Sequence, residues 1–182
     1  MGQHIILIGF MGAGKTTVGR RLAALLGREL LDTDQQIERQ AGMTINRIFE
    51  TEGEASFRRR ETEALRRLAD RKEPAVISAG GGLPLREENR EILKTLGLTV
   101  YLRVRPETVL QRLEGDHTRP LLAGEHPEET VRRLLEERGG IYAMAASLTA
   151  DTDGKSPEAI AEEIRGAMEN GKGGETVEAF GD

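Results

Sequence analysis

Residues 9–16 read GFMGAGKT and follow a short apolar run, HIILI. They fit the pattern G-x-x-x-x-G-K-[ST] in the strand–loop–helix setting that gives it meaning. The chemistry is phosphate binding. Glycines let backbone N–H groups turn inward with no Cβ in the way, which makes an anion-binding nest. The positive end of the following helix faces the same point. Gly12, Ala13, Gly14, Lys15, Thr16 and Thr17 are therefore the expected binding residues of a nucleoside triphosphate. The Lys15 ammonium reaches the β/γ-phosphates, and the Thr16 hydroxyl is placed to ligate Mg²⁺.

A second set of residues is suited to an acceptor. Asp32 and Asp34 (LDTD) leave a short predicted strand. Alternate residues of an extended stretch point the same way, so both carboxylates can face the γ-phosphate. One acid near Mg²⁺ and one near an acceptor hydroxyl is what phosphoryl transfer needs. The competing reading is that Asp34 caps a helix, since DTDQQIE resembles a helix start. Glu54, Phe57, Arg58 and Glu61 (EASFRRRE) fall at i, i+3, i+4 and i+7, one helix face. Both glutamates can brace Arg58, and a braced guanidinium beside an aromatic ring suits a carboxylated ring-shaped substrate. Arg59 and Arg60 read instead as a solvated basic face.

Gly80, Gly81 and Gly82 exceed what a tight turn requires and suggest close backbone approach to a ligand. Arg119, in the loop TRPLL, is either a surface residue or an arginine that closes on the transferring phosphate. Arg138 precedes Gly139-Gly140, where a cation at a helix C-terminus would suit the macrodipole.

The elements that must hold these residues alternate regularly. Predicted strands lie at HIILI, RELLDTD, PAVIS, LTVYLRV and SLTAD. The first helix runs from about Lys15 to Leu26, with Val18, Leu22, Leu25 and Leu26 on one face, and Gly27 stops it. Residues 34–71 are helical with breaks near Gly42 and Gly53, and residues 85–96 are helical. PETVLQRL opens with Pro at a first helical turn. Residues 114–127 have loop composition. A charged helix spans Glu128–Arg138 and breaks at Gly139-Gly140. Ser156-Pro157 caps a last helix, and residues 171–182 read as a disordered tail. Strands alternating with helices imply a parallel sheet flanked by helices, an α/β fold. Ligands of such sheets sit beyond the carboxyl ends of the strands. GAGKT, DTD and GGG each follow a strand directly.

Composition narrows the partners. The chain has 182 residues, enough for one domain with a real core. Net charge is -5 and aromatic residues make up 3%, a poor match to nucleic acid, which wants a basic face and stacking rings. There are no cysteines, which excludes disulfides and thiolate metal sites. The three histidines stand without ligand spacing. No apolar run approaches the ~18 residues that span a bilayer, and the N-terminal apolar run is too short for a signal peptide. Met1-Gly2 lacks the Ser or Thr at position 6 that myristoylation needs. The expected location is the cytoplasm, as a monomer.

GFMGAGKTTVGRRLA, LDTDQQIE, IFETEGEASFRRRE, SAGGG, TRPLL and LEERGGIY occur in an order and spacing that closely resembles shikimate kinase. The resemblance covers roughly residues 4–165. The phosphate-binding loop is generic; DTD, GExxFRxxE and GGG are more specific among such kinases. The resemblance implies a three-layer α/β/α fold like that of nucleoside monophosphate kinases. Its five-stranded parallel sheet is joined by a substrate-binding helical region at about 33–61 and a lid at about 112–126. It implies transfer of the ATP γ-phosphate to the 3-hydroxyl of shikimate, on the way to chorismate and the aromatic amino acids.

Carried over by position, Asp34 binds the shikimate hydroxyls and accepts the proton, and Asp32 binds Mg²⁺, the one ion expected. Phe57 lies at the substrate, and Arg58 and Arg138 clamp its carboxylate. Gly80, Gly81 and Gly82 shape that pocket by backbone contact. Arg119 is the lid residue on the phosphates, and Arg112 and Pro157 lie at the adenine. One departure stands out. After the carboxylate-binding arginine the family continues with a small residue, Pro-Leu-Tyr and a Glu. Here Tyr142 is kept, but Gly140 and Met144 replace the Pro and the Glu, which predicts a softer helix junction beside Arg138. The rival readings are another small-molecule kinase, for instance on gluconate, and a non-catalytic nucleotide-binding module. Arg58 and the three glycines argue against the first. Intact Lys15, Thr16, Asp32, Asp34 and Arg119 argue against the second.

Overall fold

A computed structural model describes residues 3–114 and 126–172. The elements are β1 (His4–Ile8), α1 (Lys15–Leu26), β2 (Glu29–Asp32), α2 (Thr33–Ala41), α3 (Ile45–Glu52), α4 (Glu54–Ala69) and β3 (Ala75–Ser78). After a 3₁₀ turn at Leu83–Leu85 come α5 (Glu87–Leu96), β4 (Gly97–Arg103), α6 (Pro106–Leu113), α7 (Pro127–Ala145), β5 (Leu148–Asp151) and α8 (Pro157–Lys172).

The five strands form one sheet in the order β2-β3-β1-β4-β5, and every pairing is parallel. Helices cover both faces of such a sheet, so its central strands must be apolar throughout. All five residues of β1 and all four of β3 are buried. Val18 and Leu22 of α1, Val131 and Leu134 of α7, and Ile160 and Ile164 of α8 close the main core around them. α1 lies close on the sheet because Gly19 has no side chain; a Cβ there would stand 2.9 Å from Leu30. The chain leaves β1 toward β2 and β3 on one side, while β4 and β5 lie on the other. Such a reversal opens a crevice at the carboxyl ends of β1 and β3.

A second, small core joins Ile37, Ile48, Phe57 and Ala64 across α2, α3 and α4. It holds together the helical region that the sequence assigns to the substrate. The predicted breaks at Gly42 and Gly53 are both real helix ends. Ser156 caps α8 as expected, its hydroxyl accepting from the Ala159 N–H at 3.1 Å.

Three expectations fail for physical reasons. Leu25 is 40% exposed, and Gly19 and Ala23 take its place on the buried face of α1. The strand at RELLDTD ends at Asp32, so Asp34 belongs to a helix. The predicted break at Gly139-Gly140 does not occur, because α7 runs through both glycines. Each costs about 1 kcal/mol of helix propensity. Beyond them the helix gains the complete burial of Tyr142, whose hydroxyl donates to the Gly81 carbonyl at 2.6 Å. Arg138 thus sits inside a continuous helix, and the helix-end reading of it is excluded. Arg119, and residues 115–125 of the expected lid, lie outside the described residues, as does the expected tail from residue 173.

Candidate active site

The phosphate-binding loop spans the gap between β1 and α1. Gly12 and Gly14 take left-handed backbone conformations, with φ of 74° and 92°. Gly14 is the N-cap of α1, and no side chain caps that end. The first-turn amides therefore face outward as anion donors. Lys15 Nζ donates to the carbonyls of Gly9 at 2.8 Å and Phe10 at 2.9 Å, which holds the ammonium over the loop. Arg112, at the end of α6, donates to the Gly12 carbonyl at 2.9 Å and to the Thr152 carbonyl at 3.3 Å. It ties the loop to the segment leading into α8.

Asp32 and Asp34 belong to different elements, so the extended reading does not relate them. Asp32, the last residue of β2, is the helix cap. Its Oδ1 accepts from the N–H groups of Asp34 at 3.0 Å and Gln35 at 3.1 Å. Its Oδ2 accepts from the Thr16 hydroxyl at 3.0 Å, and Thr16 also meets the Ser78 hydroxyl at 3.1 Å. Asp34 stands in the first turn of α2, directly over Gly80. A Cβ built on Gly80 would lie 2.6 Å from Asp34 Oδ1. The Gly80 N–H is held in turn by the Thr33 hydroxyl at 3.0 Å.

The helix-face prediction for Arg58 is realised. Its Nη1 donates to Glu61 Oε2 at 2.8 Å, while Nη2 and Nε reach Glu54 Oε1 at 3.2 and 3.4 Å. The Phe57 ring centroid lies 5.4 Å from the guanidinium carbon. Glu61 is 1% exposed. Burial pushes its carboxyl up to about 7, against the pull of Arg58. Gly82 makes room for this braced side chain: a Cβ there would collide with the Arg58 guanidinium. The glycines thus do more than approach a ligand. Gly80 and Gly82 vacate the space that Asp34 and Arg58 occupy. Arg60 is partly committed to Glu52 at 3.0 Å, whereas Arg59 is exposed.

Arg138 lies over the Phe10 ring, 6.0 Å from its centroid. Tyr142, one helical turn on, anchors Gly81 through the hydroxyl bond that keeps α7 in place. Burial pushes the Tyr142 phenol up to about 12, with the Arg138 charge pulling the other way.

One cavity of about 510 Å³ collects most of these groups. Gly12, Gly14, Lys15, Thr16 and Thr17 line it together with Asp32, Asp34, Gly80, Gly81 and Arg112. Phe57, Arg58, Gly82 and Arg138 are not among its lining residues. Ala13 is buried beneath the loop, and Pro157 opens α8 away from the lining. Sequence reasoning missed Gln35, Glu38, Ile45 and Ser78, which line the same cavity. Glu38 is four residues after Asp34, a spacing that becomes visible once Asp34 is placed on a helix. Ser78 pairs with Asp32 in the sheet register, a relation that requires the strand order.

The family model for shikimate kinase matches residues 11–169. Shikimate kinase of Acinetobacter baumannii (strain AYE) is 49% identical over 161 residues, 88% of this chain and 89% of that protein. Shikimate kinase of Methylococcus capsulatus is 46% identical over 167 residues, 92% and 93% of the two chains. Among solved structures, shikimate kinase from Acinetobacter baumannii in complex with shikimate superposes with a TM-score of 0.88 at 47% identity, over 93% of this chain and 94% of that one. Shikimate kinase from Aquifex aeolicus gives 0.81 at 37% identity, over 93% and 98%. With its parallel sheet, its phosphate loop and its Arg58 braced by Glu54 and Glu61 as described, the chain belongs to the shikimate kinase family.

Proposed function

We propose that this chain transfers the γ-phosphoryl group of ATP to the 3-hydroxyl of shikimate, giving ADP and shikimate 3-phosphate. The observation that carries the reading is the cavity that Lys15, Thr16, Asp34 and Gly80 line together. Co-lining of one cavity by the phosphate loop and by Asp34 supports a nucleotide half and an acceptor half in one site. The shikimate hydroxyl oxygen attacks the γ-phosphorus, the bond to the β,γ-bridging oxygen breaks, and the hydroxyl proton passes to the Asp34 carboxylate. Such transfer needs little covalent help from the protein, so positioning and charge neutralisation supply most of the catalysis.

Gly12–Thr17 take the triphosphate through backbone amides, and Lys15 neutralises charge on the transferring group. Arg58 and Arg138 clamp the shikimate carboxylate beside Phe57, with Gly80–Gly82 as the pocket wall. Arg112 lies at the adenine, supported by its place between Gly12 and Thr152. The parts given to Pro157, at the adenine, and to Arg119, on the phosphates, rest on the resemblance alone. The residues present fit a magnesium ion. Thr16 and Asp32 put hard oxygens side by side next to the phosphate loop, and Mg²⁺ takes few protein ligands and completes its shell with water and phosphate. Thr16 and Asp32 would hold the ion, which when bound offsets phosphate charge. The reading takes the enzyme as a cytoplasmic monomer; among the described residues no helix is long and apolar enough to cross a membrane.

A coupled ADP-release assay with shikimate, gluconate and nucleoside monophosphates, with and without Mg²⁺, tests this. Turnover is expected with shikimate and Mg²⁺ alone. Lys15→Met is expected to lower kcat by orders of magnitude, and Asp34→Asn to abolish transfer while ATP still binds. Comparable turnover on gluconate, or an active Asp34→Asn variant, would overturn the assignment.

A further inference from the structure

Behind Arg58 lies a run of polar groups to which the transfer mechanism gives no part. Arg86, at the N-cap of α5, donates from Nη1 to the Arg58 carbonyl at 3.2 Å and to the Thr62 hydroxyl at 3.0 Å. Thr62 has one proton to give. It lies 2.8 Å from Asn89 Oδ1 and 3.2 Å from the Arg58 carbonyl, so the shorter bond to Asn89 takes it. Asn89 Nδ2 then donates to the carbonyl of Leu83 at 2.8 Å. Leu83 directly follows Gly82, the residue over which the Arg58 guanidinium lies. Asn89 is fully buried and Thr62 nearly so. A chain of four hydrogen bonds thus runs from the backbone of Arg58, through α4 and α5, to the end of the glycine loop.

The charges make a second link. The Glu61 carboxylate, which holds the Arg58 guanidinium, is almost completely buried, and its Oε1 has no hydrogen-bond partner among the described residues. The charges that act on it are Arg58 of its own helix, Asp34 of α2 and Arg86. Arg58 and Arg86 favour the ionised carboxylate and Asp34 opposes it. Glu54 and Glu88 are the counter-charges of the two arginines, at 3.2 Å and 3.6 Å. Arg86 is therefore bonded to the backbone of the clamp residue and also lies in the field of the clamp's buried counter-ion.

We propose that Arg86 is a positioning residue for acceptor binding: through Thr62 and Asn89 it locks the turn carrying Arg58 to the Gly80–Gly82 loop, and its charge supports the Glu61 carboxylate that holds the Arg58 guanidinium. The proposal rests on the reading of Arg58 as the acceptor clamp and adds a residue that never touches the acceptor. Two consequences follow from it. Loss of the bonds loosens the clamp, which weakens shikimate binding and leaves the phosphate loop intact. Loss of the charge raises the pH at which Glu61 takes up a proton and releases Arg58. The first consequence needs the forked guanidinium; the second needs only a cation.

Steady-state kinetics of the full chain with shikimate and ATP, across pH, separate these. For Arg86→Gln the KM for shikimate is expected to rise on the order of tenfold, the size of one lost charged hydrogen bond. The KM for ATP stays put and kcat changes far less. The acid limb of kcat/KM for shikimate, which falls as Glu61 protonates near pH 7 in the unaltered protein, moves to higher pH. Arg86→Lys is expected to raise the shikimate KM while leaving the limb in place. A lowered melting temperature with unchanged shikimate KM and an unmoved limb would reduce Arg86 to a structural residue and overturn the proposal. Should Arg86→Gln fail to fold, Arg86→Lys decides alone, and an unchanged shikimate KM in it refutes the positioning role. Absence of shikimate turnover in the unaltered protein would refute the proposed function itself, a result distinct from either outcome.

Discussion

Alanine at Gly82 is the sharpest perturbation of the acceptor clamp. Gly82 has φ -88° and ψ -8°, a right-handed conformation that alanine adopts freely. The backbone cost is therefore small and the effect falls on the neighbour. A Cβ there would collide with Arg58 Nη1 and stand 2.8 Å from both Cζ and Nη2. Ordinary contact is about 3.5 Å or more, so the guanidinium must shift, and the expected outcome is loss of its 2.8 Å bond to Glu61. Breaking a buried pair costs about 3–5 kcal/mol. Arg58 keeps 22% of its side chain exposed and retains Glu54 as a partner, which reduces this to about 2–3 kcal/mol. That energy corresponds to roughly a 30- to 150-fold loss in kcat/KM for shikimate, carried mainly by KM. The KM for ATP should not follow, because the phosphate loop between β1 and α1 takes no part in the Arg58–Glu61 pair. Coupled ADP release at saturating ATP, with shikimate varied, measures it. The neighbouring glycines are controls. At Gly81 the nearest atom to a new Cβ is the Gly9 carbonyl at an ordinary 3.5 Å, so Gly81→Ala is expected within about 0.5 kcal/mol, roughly twofold. At Gly80 the Cβ meets Asp34 Oδ1 at 2.6 Å, so Gly80→Ala should lower kcat as well. Equal damage at Gly81 and Gly82, or unchanged shikimate affinity in Gly82→Ala, would refute the reasoning.

Two further predictions concern stability. Burial holds the Glu61 carboxyl up to about 7 in the folded chain, against 4.5 for a free glutamate side chain. The folded state therefore binds a proton more tightly than the unfolded chain. The contribution of Glu61 to stability is present in full below about 4.5 and is lost as pH rises through about 7, on the order of 3 kcal/mol. Glu61→Gln should remove this slope, so denaturation of both proteins from pH 4.5 to 8 should give a stability difference that changes with pH; a constant difference would contradict the buried-carboxylate account. Gly140 is exposed within α7, and a Cβ there meets nothing within 4 Å. Gly140→Ala is expected to stabilise the protein by about 0.5–1 kcal/mol in a denaturant midpoint measurement, and a loss of stability would mean that the helix does not run through that position.

Interactions inside one element were legible in advance. The phosphate loop and its lysine form a contiguous motif, and the bracing of Arg58 by Glu54 and Glu61 follows from helix spacing alone. Alternating strands and helices were enough for a parallel α/β sheet. The misreadings arose where tertiary contacts overrode local preference. Asp34 reads equally well as the end of a strand or the start of a helix. Asp32 settles it by capping α2 while it also accepts from Thr16 of another element. Gly139 and Gly140 read as a helix break, yet the burial of Tyr142 and its bond to Gly81 hold the helix through them.

From sequence alone, then, came the family, the phosphate-loop motif and the helix face on which Glu54 and Glu61 brace Arg58, because a helix or a tight loop relates residues a few positions apart by fixed geometry. The sheet order and the packing of α4, α5 and α7 around the glycine loop decided the rest. They put Asp34 over Gly80, Arg58 over Gly82, Tyr142 against Gly81 and Arg86 behind the clamp. Those pairs lie 24 to 61 residues apart. No local periodicity relates residues at that separation, and only burial of the shared cores brings them within contact distance.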